Sequence, residues 1–340
     1  MPIRSIDTKF IKLVFKKKPD TYAAKITKTA QKKVFYKLKL YKNICLISNK
    51  KGNKMKQQNS HKKQPNILFI FTDQHRLSAI GAYGETPCKT PNIDKLAKEG
   101  ILFKNTYTTC PVCSPARASI MTGKFPHSHG ISTNINQLGC SIHSLEDNPE
   151  LLSRKLEKAN YSLGYSGKWH LGSKQKTTPF GTISKPSLPV TVGFEGQNFP
   201  DHGGGGFGYP EYKQYLKENG FEHKVKDWAE KTKLIWPAGE LEEPEESTVP
   251  YFLTENTINM IDDFSKRKKP FFIWHNFWGP HGPFYTTKKY LDMYRDVDIP
   301  EWPNYTWPAS SIPGLHHAKI HPEQENLKWD DWAMMIRYYY

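Results

Sequence analysis

The chain has 340 residues, with 49 Lys and Arg against 33 Asp and Glu and a formal net charge of +16 at pH 7. That length allows one large α/β domain or two small ones, and the charge alone would suggest nucleic acid or an anionic membrane. Its distribution excludes both for the body, because residues 1–64 hold 19 Lys and Arg against 2 Asp and Glu and leave residues 65–340 at −1.

The basic leader carries the tracts Lys16-Lys17-Lys18, Lys32-Lys33 and Lys50-Lys51 without glycine-rich, zinc-ligand or base-stacking patterns around them. A nucleic-acid tail is the weaker reading. A disordered basic segment, or translation from an upstream start with Met55 as the working start, is preferred. No run reaches the roughly 7–15 apolar residues of a secretory signal or the ~20 of a membrane span. The five cysteines (Cys45, Cys88, Cys110, Cys113, Cys140) are odd in number and make no disulfide framework. Cys110 and Cys113 form a C-x-x-C pair without a second pair, so Cys110 reads as packing. The expectation is a cytoplasmic protein with neither nucleic acid nor membrane as a partner.

From Asn66 the chain reads as alternating strands and helices. Residues 66–73 are an apolar run ending in Asp73, which suits a buried parallel strand. Residues 90–98 read as a capped helix closed by Gly100, and 101–109 as a short strand or extended approach. Helix is expected over 150–159, strand over 161–169, helix over 252–266, buried strand over 271–277 and helix from 328. Residues 173–250 read as a long irregular insertion rich in Gly, Pro and charge, with Trp228, Trp236 and Tyr209 as candidate sugar or aryl contacts. Residues 296–325 read as a Pro- and Trp-rich loop. This alternation predicts an α/β fold, a mostly parallel sheet covered by helices on both faces. Ligands in such sheets gather at the carboxyl ends of strands.

The densest motif is Cys113-Ser114-Pro115-Ala116-Arg117, followed by Ala118-Ser119-Ile120-Met121-Thr122-Gly123. Ser114 is expected to be the N-cap, Pro115 the first helical residue and Gly123 a left-handed stop. Cys113 then sits at the positive end of a helix dipole, which should lower its thiol pKa, and Arg117 can reach back to the same anion. Asp73 and Gln74 lie at the end of the first strand as oxygen donors for a hard cation. In Gly167-Lys168-Trp169-His170-Leu171-Gly172, Lys168 and His170 share a face if the segment is extended. His281, in Gly279-Pro280-His281-Gly282-Pro283, falls beyond the strand at 271–277. His275 and Asn276 inside that strand read as structural, and His127 and His129 as supporting or structural.

The Cys113 string resembles the signature of the type I sulfatases, and the Lys168 and His281 motifs match two further elements of that family. The resemblance covers residues 65–340. It implies an alkaline phosphatase/sulfatase-like fold and hydrolysis of sulfate esters, with a small-molecule or glycan sulfate ester as substrate. In the family the cysteine is oxidised to formylglycine by a formylglycine-generating or anaerobic sulfatase-maturating enzyme. The aldehyde hydrate then attacks sulfur. A divalent cation, Ca²⁺ by preference over Mg²⁺, is implied at Asp73, Gln74 and the modified Cys113, with Arg117 stabilising the hydrate. Lys168 and His281 assist the leaving alcohol, and His170 helps the sulfated hydrate collapse. Gln74 stands where the family commonly has a second Asp. Asp201-His202-Gly203 reads as a coincidental loop, since the family's similar motif follows a late apolar strand. The C-terminal part is expected to be missing, with the remaining metal ligands beyond Tyr340. A phosphodiesterase or phosphonate monoester hydrolase of the same superfamily and an inactive truncated pseudoenzyme are the alternatives.

Overall fold

A computed structural model of the chain describes residues 64–340 except 138, 174–176, 179–180, 183–185, 200–203, 227–228, 304, 306–323 and 325. The basic leader with Cys45 and Met55, the Asp201-His202-Gly203 triplet, Trp228 and most of the Pro- and Trp-rich loop lie outside the described residues.

In chain order the elements are β1 (Ile67–Phe71), α1 (Pro91–Glu99), α2 (Cys113–Thr122), α3 (Pro126–His129), α4 (Leu152–Lys158), β2 (Ser162–Gly167), β3 (Thr177–Thr178), β4 (Gly181–Thr182), β5 (Glu195–Gly196), α5 (Pro210–Asn219), β6 (Val225–Lys226), β7 (Ala238–Leu241), α6 (Val249–Phe264), β8 (Phe271–Asn276), β9 (Phe284–Thr287), α7 (Lys288–Leu291) and α8 (Trp329–Tyr339). The main sheet has the order β1-β8-β2-β5, and every pairing in it is parallel. The expected α/β architecture is therefore present.

The period of a strand divides β8 between two cores. Phe272 and Trp274 join Ala118, Met121 and Leu151 in one cluster, while Phe271 and Ile273 join Phe264 and Met260 in another. Helices α2 and α4 thus cover one face and α6 the other. Both β2 and β8 are buried along their whole length. Helix α6 starts three residues earlier than its apolar pattern suggests, because Thr248 caps it by accepting from the Tyr251 backbone N–H.

Of the two alternatives for residues 101–109, the approach to α2 without a strand is the one observed. One expectation needs correction. The 173–250 stretch is not simply irregular: it contains α5, and its β6 and β7 build a second sheet with β9 in the order β6-β7-β9. The signals for α5 were local, with Pro210 in the first turn and Tyr212 and Leu216 buried one turn apart. The abundance of Gly, Pro and charge around them masked that period.

One register row aligns the strand ends of the main sheet. Phe71, Asn276 and Gly167 lie side by side, so β1, β8 and β2 end at the same level. Gly167 has φ +99, and a Cβ there would lie 1.7 Å from the Asn276 carbonyl oxygen. Gly123, at the end of α2, has φ +67 but open space around a built Cβ. Gly167→Ala should therefore cost more than ~3 kcal/mol, and Gly123→Ala about 1–2 kcal/mol. Urea unfolding of the two variants checks the order; equal costs would contradict it.

Candidate functional site

Three strand ends and one helix start converge. Asp73 lies two residues beyond β1 and is fixed by its backbone N–H donating to the Gly279 carbonyl at 3.1 Å. Lys168 follows β2 directly, and its N–H donates to the Asn276 carbonyl at 3.2 Å. His281 lies five residues beyond β8, and Cys113 opens α2.

The start of α2 differs from the sequence reading. Val112 takes the extended N-cap position, and Ser114 lies inside the first turn. The Ser114 N–H donates to Asn134 Oδ1 at 3.0 Å, so another loop supplies the capping oxygen. The Ser114 hydroxyl instead donates to the His170 carbonyl at 2.8 Å and accepts from the Ile135 N–H at 3.3 Å. It ties the helix to the loop after β2. Gly123 is left-handed, as expected.

Asp73 is the hub. Its Oδ2 lies 3.0 Å from Arg117 Nη2 and 2.8 Å from Lys168 Nζ, and its Oδ1 accepts from Cys113 Sγ at 3.5 Å. All three charged side chains are almost fully removed from solvent, with Arg117 1% and Lys168 0% exposed. Burial pushes the Asp73 carboxyl up, but Lys168 and Arg117 together outweigh it and hold it well below the usual carboxylate range. Burial, with Arg117 adding to it, pulls Lys168 below an ordinary lysine, against the pull of Asp73.

Arg117 reaches the Asp73 carboxylate, which also engages the Cys113 thiol at the helix mouth. Its Nη1 donates to the Lys168 carbonyl at 2.7 Å and to Asn276 Oδ1 at 2.8 Å, so it is locked against all three strand ends. The expected lowering of the Cys113 pKa is overturned. Burial pushes the thiol up, and adjacent Asp73 adds to this against the opposing cations Lys168 and Arg117. The resting side chain is a thiol that donates to a carboxylate, not a thiolate.

His281 completes the cluster. Ligand atoms of Asp73, Cys113 and His281 lie within 4.8 Å of one another, a grouping that can hold a metal ion. Its Nδ1 lies 2.7 Å from the Gly282 carbonyl, which only accepts, so Nδ1 carries the proton and Nε2 the lone pair. Burial, aided by Lys168, lowers its pKa and keeps the ring neutral near pH 7. The rings of Trp236 and Trp278 flank it at 5.0 and 5.1 Å.

The other expected residues divide. Strand β2 ends at Gly167 and His170 is left-handed with φ +55, so Lys168 and His170 do not share an extended face. Lys168 joins Asp73, while the His170 carbonyl anchors α2. Gln74 is exposed with φ +55, and its carbonyl accepts from the Tyr339 hydroxyl at 2.7 Å. His275 is a core residue, 2.5 Å from Thr257 Oγ1 and lowered to about 4 by burial. His129 lies 3.1 Å from Ser119 and accepts from the Ile131 N–H, and exposed His127 stacks on Phe125. Tyr209 is fully buried among Phe199, Tyr212 and Phe252, so it cannot touch a substrate. Trp236 does reach the site.

Three contributors were missed. Asn276 reads as a strand residue, yet it orients Arg117. Asn134 caps α2. Trp278 lies under Lys168 Nζ at 4.2 Å, a cation–π contact. The polar residue closing an apolar strand was a usable signal for Asn276; nothing local marked Asn134.

The family model described as Sulfatase matches residues 65–335. The chain belongs to the sulfatase family. It is 29% identical over 235 residues to the uncharacterized sulfatase YidJ of Escherichia coli, covering 69% of this chain and 42% of that protein. To human N-acetylgalactosamine-6-sulfatase it is 30% identical over 253 residues, covering 69% and 44%. The chain thus spans less than half the length of these relatives. Among solved structures, the putative sulfatase YidJ of Bacteroides fragilis superposes with a TM-score of 0.53 at 25% identity, over 83% of this chain and 56% of that one. The phosphonate monoester hydrolase of Agrobacterium radiobacter shares the fold, with a TM-score of 0.60 at 21% identity over 81% and 56%. Among the described residues no helix is long and apolar enough to cross a membrane.

The hub gives a signed pH dependence. A carboxylate whose pKa is depressed on folding contributes stability that is fully present above its unfolded value near ~4 and is lost as pH falls further. In metal-free protein, Asp73→Asn strands two buried cations and should cost about 3–5 kcal/mol at pH 7. The gap from the parent chain should narrow between pH 4 and 3. Urea unfolding at both ends checks this; a gap independent of pH would contradict it.

Proposed function

We propose that this chain carries the catalytic face of a sulfate-ester hydrolase whose nucleophile is made from Cys113. The observation that carries this reading is the arrangement around Asp73: a buried thiol at the first turn of a helix, two buried cations, and a neutral imidazole, all at the carboxyl ends of a parallel sheet. Oxidation of Cys113 to formylglycine by a dedicated maturation enzyme would supply a hydroxyl nucleophile. The raised thiol pKa supports a precursor role over direct thiolate attack.

The donors present suit part of a cation's coordination. Asp73, Gln74 and an oxygen at position 113 can contribute to a Ca²⁺ site, but Ca²⁺ takes 6–8 oxygens. Asp73 Oδ2 is already shared by Arg117 and Lys168. The described donors do not complete such a sphere.

The side chains themselves carry identifiable work. Two buried cations facing one carboxylate leave a net positive charge, which stabilises charge developing on sulfuryl oxygens in a water-poor site. Asn276 and the Lys168 carbonyl hold Arg117 in place, so its charge needs no reorganisation. His281 lies beside the thiol with its lone pair on Nε2, suited to guiding a proton between nucleophile and leaving oxygen. The net reaction consumes one water and one sulfate ester, and releases an alcohol, sulfate and a proton. We assign the ester to a small molecule or a glycan; a relative is named N-acetylgalactosamine-6-sulfatase.

The test is expression of the chain with and without a sulfatase-maturating enzyme. Peptide mass spectrometry across Cys113 should then be read together with hydrolysis of nitrophenyl sulfate and a bis-nitrophenyl phosphate. Conversion at Cys113 should coincide with sulfate release, Cys113→Ala should abolish it, and His281→Ala should lower kcat about 10²–10⁴-fold. Faster cleavage of the phosphodiester would favour a phosphoester hydrolase. Turnover surviving Cys113→Ala would overturn the reading.

A further inference from the structure

Strand β8 ends at Asn276, and the chain continues through Phe277-Trp278-Gly279-Pro280-His281-Gly282-Pro283. Trp278, the largest side chain in that stretch, is buried, with 4% of it exposed. A buried indole has to place its N–H on an acceptor, and this one donates to the Gly282 carbonyl at 3.2 Å. The same carbonyl accepts from His281 Nδ1 at 2.7 Å. The Trp278 carbonyl in turn accepts from the His281 backbone N–H at 3.4 Å, which closes a turn. One residue thus fixes the backbone of His281 and shares the acceptor that sets its tautomer.

The ring face has a second use. Lys168 Nζ lies 4.2 Å from its centroid, and the His281 ring is 5.1 Å away. An ammonium carries three N–H donors. The contact with Asp73 Oδ2 at 2.8 Å sets the direction of one and does not by itself fix the others. A desolvated ammonium is held strongly by an aromatic face, so Trp278 supplies the second constraint. Its neighbour Gly279 carries the carbonyl that accepts from the Asp73 N–H at 3.1 Å. Packing alone accounts for a buried tryptophan, but it does not require the N–H, the carbonyl and the ring to meet members of one site.

We infer that Trp278 is a positioning residue for both groups that serve the leaving oxygen. Its ring face seats the Lys168 ammonium. Its N–H anchors the Gly282 carbonyl, so that His281 keeps its proton on Nδ1 and its lone pair on Nε2. The opposite tautomer would present an N–H in place of that lone pair. The inference rests on the sulfate-ester reading for the reaction these groups serve, but the contacts themselves require no turnover.

The experiment uses the full chain with Cys113 unmodified, as parent, Trp278→Phe and Trp278→Leu, each checked for folding by circular dichroism. Phenylalanine keeps a ring face without an N–H; leucine has neither. ¹⁵N NMR of histidine-labelled protein at pH 7 reads the tautomer, with the His281 signals assigned by their loss in His281→Gln. Calorimetry with inorganic sulfate reads the cation pair. The parent should carry the His281 proton on Nδ1, and Trp278→Phe should shift the tautomer ratio towards Nε2–H at least about threefold. Sulfate affinity should stay within about threefold in Trp278→Phe and fall at least about tenfold in Trp278→Leu. An unchanged tautomer in Trp278→Phe, sulfate affinity in Trp278→Leu equal to that of the parent, or an equal loss in both variants would overturn the inference. Should Trp278→Leu fail to fold, the tautomer in Trp278→Phe decides. A parent chain that binds no sulfate would instead remove the sulfate-ester reading, and the tautomer would still decide the role of Trp278.

Discussion

The carboxylate of Asp73 is the constraint around which the site is organised. Desolvating three charged side chains costs several kcal/mol for each ion, and this is offset only if their geometry is satisfied throughout. Asp73 provides that geometry. One oxygen faces Arg117 and Lys168, the other the Cys113 thiol, and its backbone N–H is fixed by the Gly279 carbonyl. Arg117 then carries the constraint onward to Asn276 and the Lys168 carbonyl, so one charge network bridges β1, β2, β8 and α2. The level strand ends set by the Phe71, Asn276 and Gly167 row make this convergence feasible.

Much of this was legible in the sequence because it is local. An apolar run ending in Asp73, Lys168 straight after a strand, and His281 between glycines and prolines each identify a strand end, and the parallel topology brings strand ends together. The Cys113 string was legible for the same reason, being a contiguous helix start. What failed were readings from local residue type that tertiary contacts overrode. Ser114 is a good N-cap by residue type, but Asn134, twenty residues away, supplies the capping oxygen and leaves Ser114 to anchor the His170 loop. The thiol was expected to feel the helix dipole; burial and an adjacent carboxylate weigh more heavily. Period two placed His170 beside Lys168, and a left-handed φ at His170 ended that period.

The remaining misses are tertiary. Asn276 looks like any polar residue closing a strand, and only its partner on α2 shows its role. Tyr209 was a plausible aromatic contact, but it is buried in a separate cluster with Phe199, Tyr212 and Phe252 of α6, whereas Trp236 reaches His281.

The central claim is that this net positive cluster at the mouth of α2 is a seat for a sulfuryl group. Calorimetric titration of the unmodified chain with inorganic sulfate tests it most directly, at fixed ionic strength and beside the Lys168→Met variant. The expected result is one saturable site in the parent chain, lost in the variant although that variant stays folded by circular dichroism. Sulfate binding that is absent from the parent, or unchanged when Lys168 is replaced, would contradict the account.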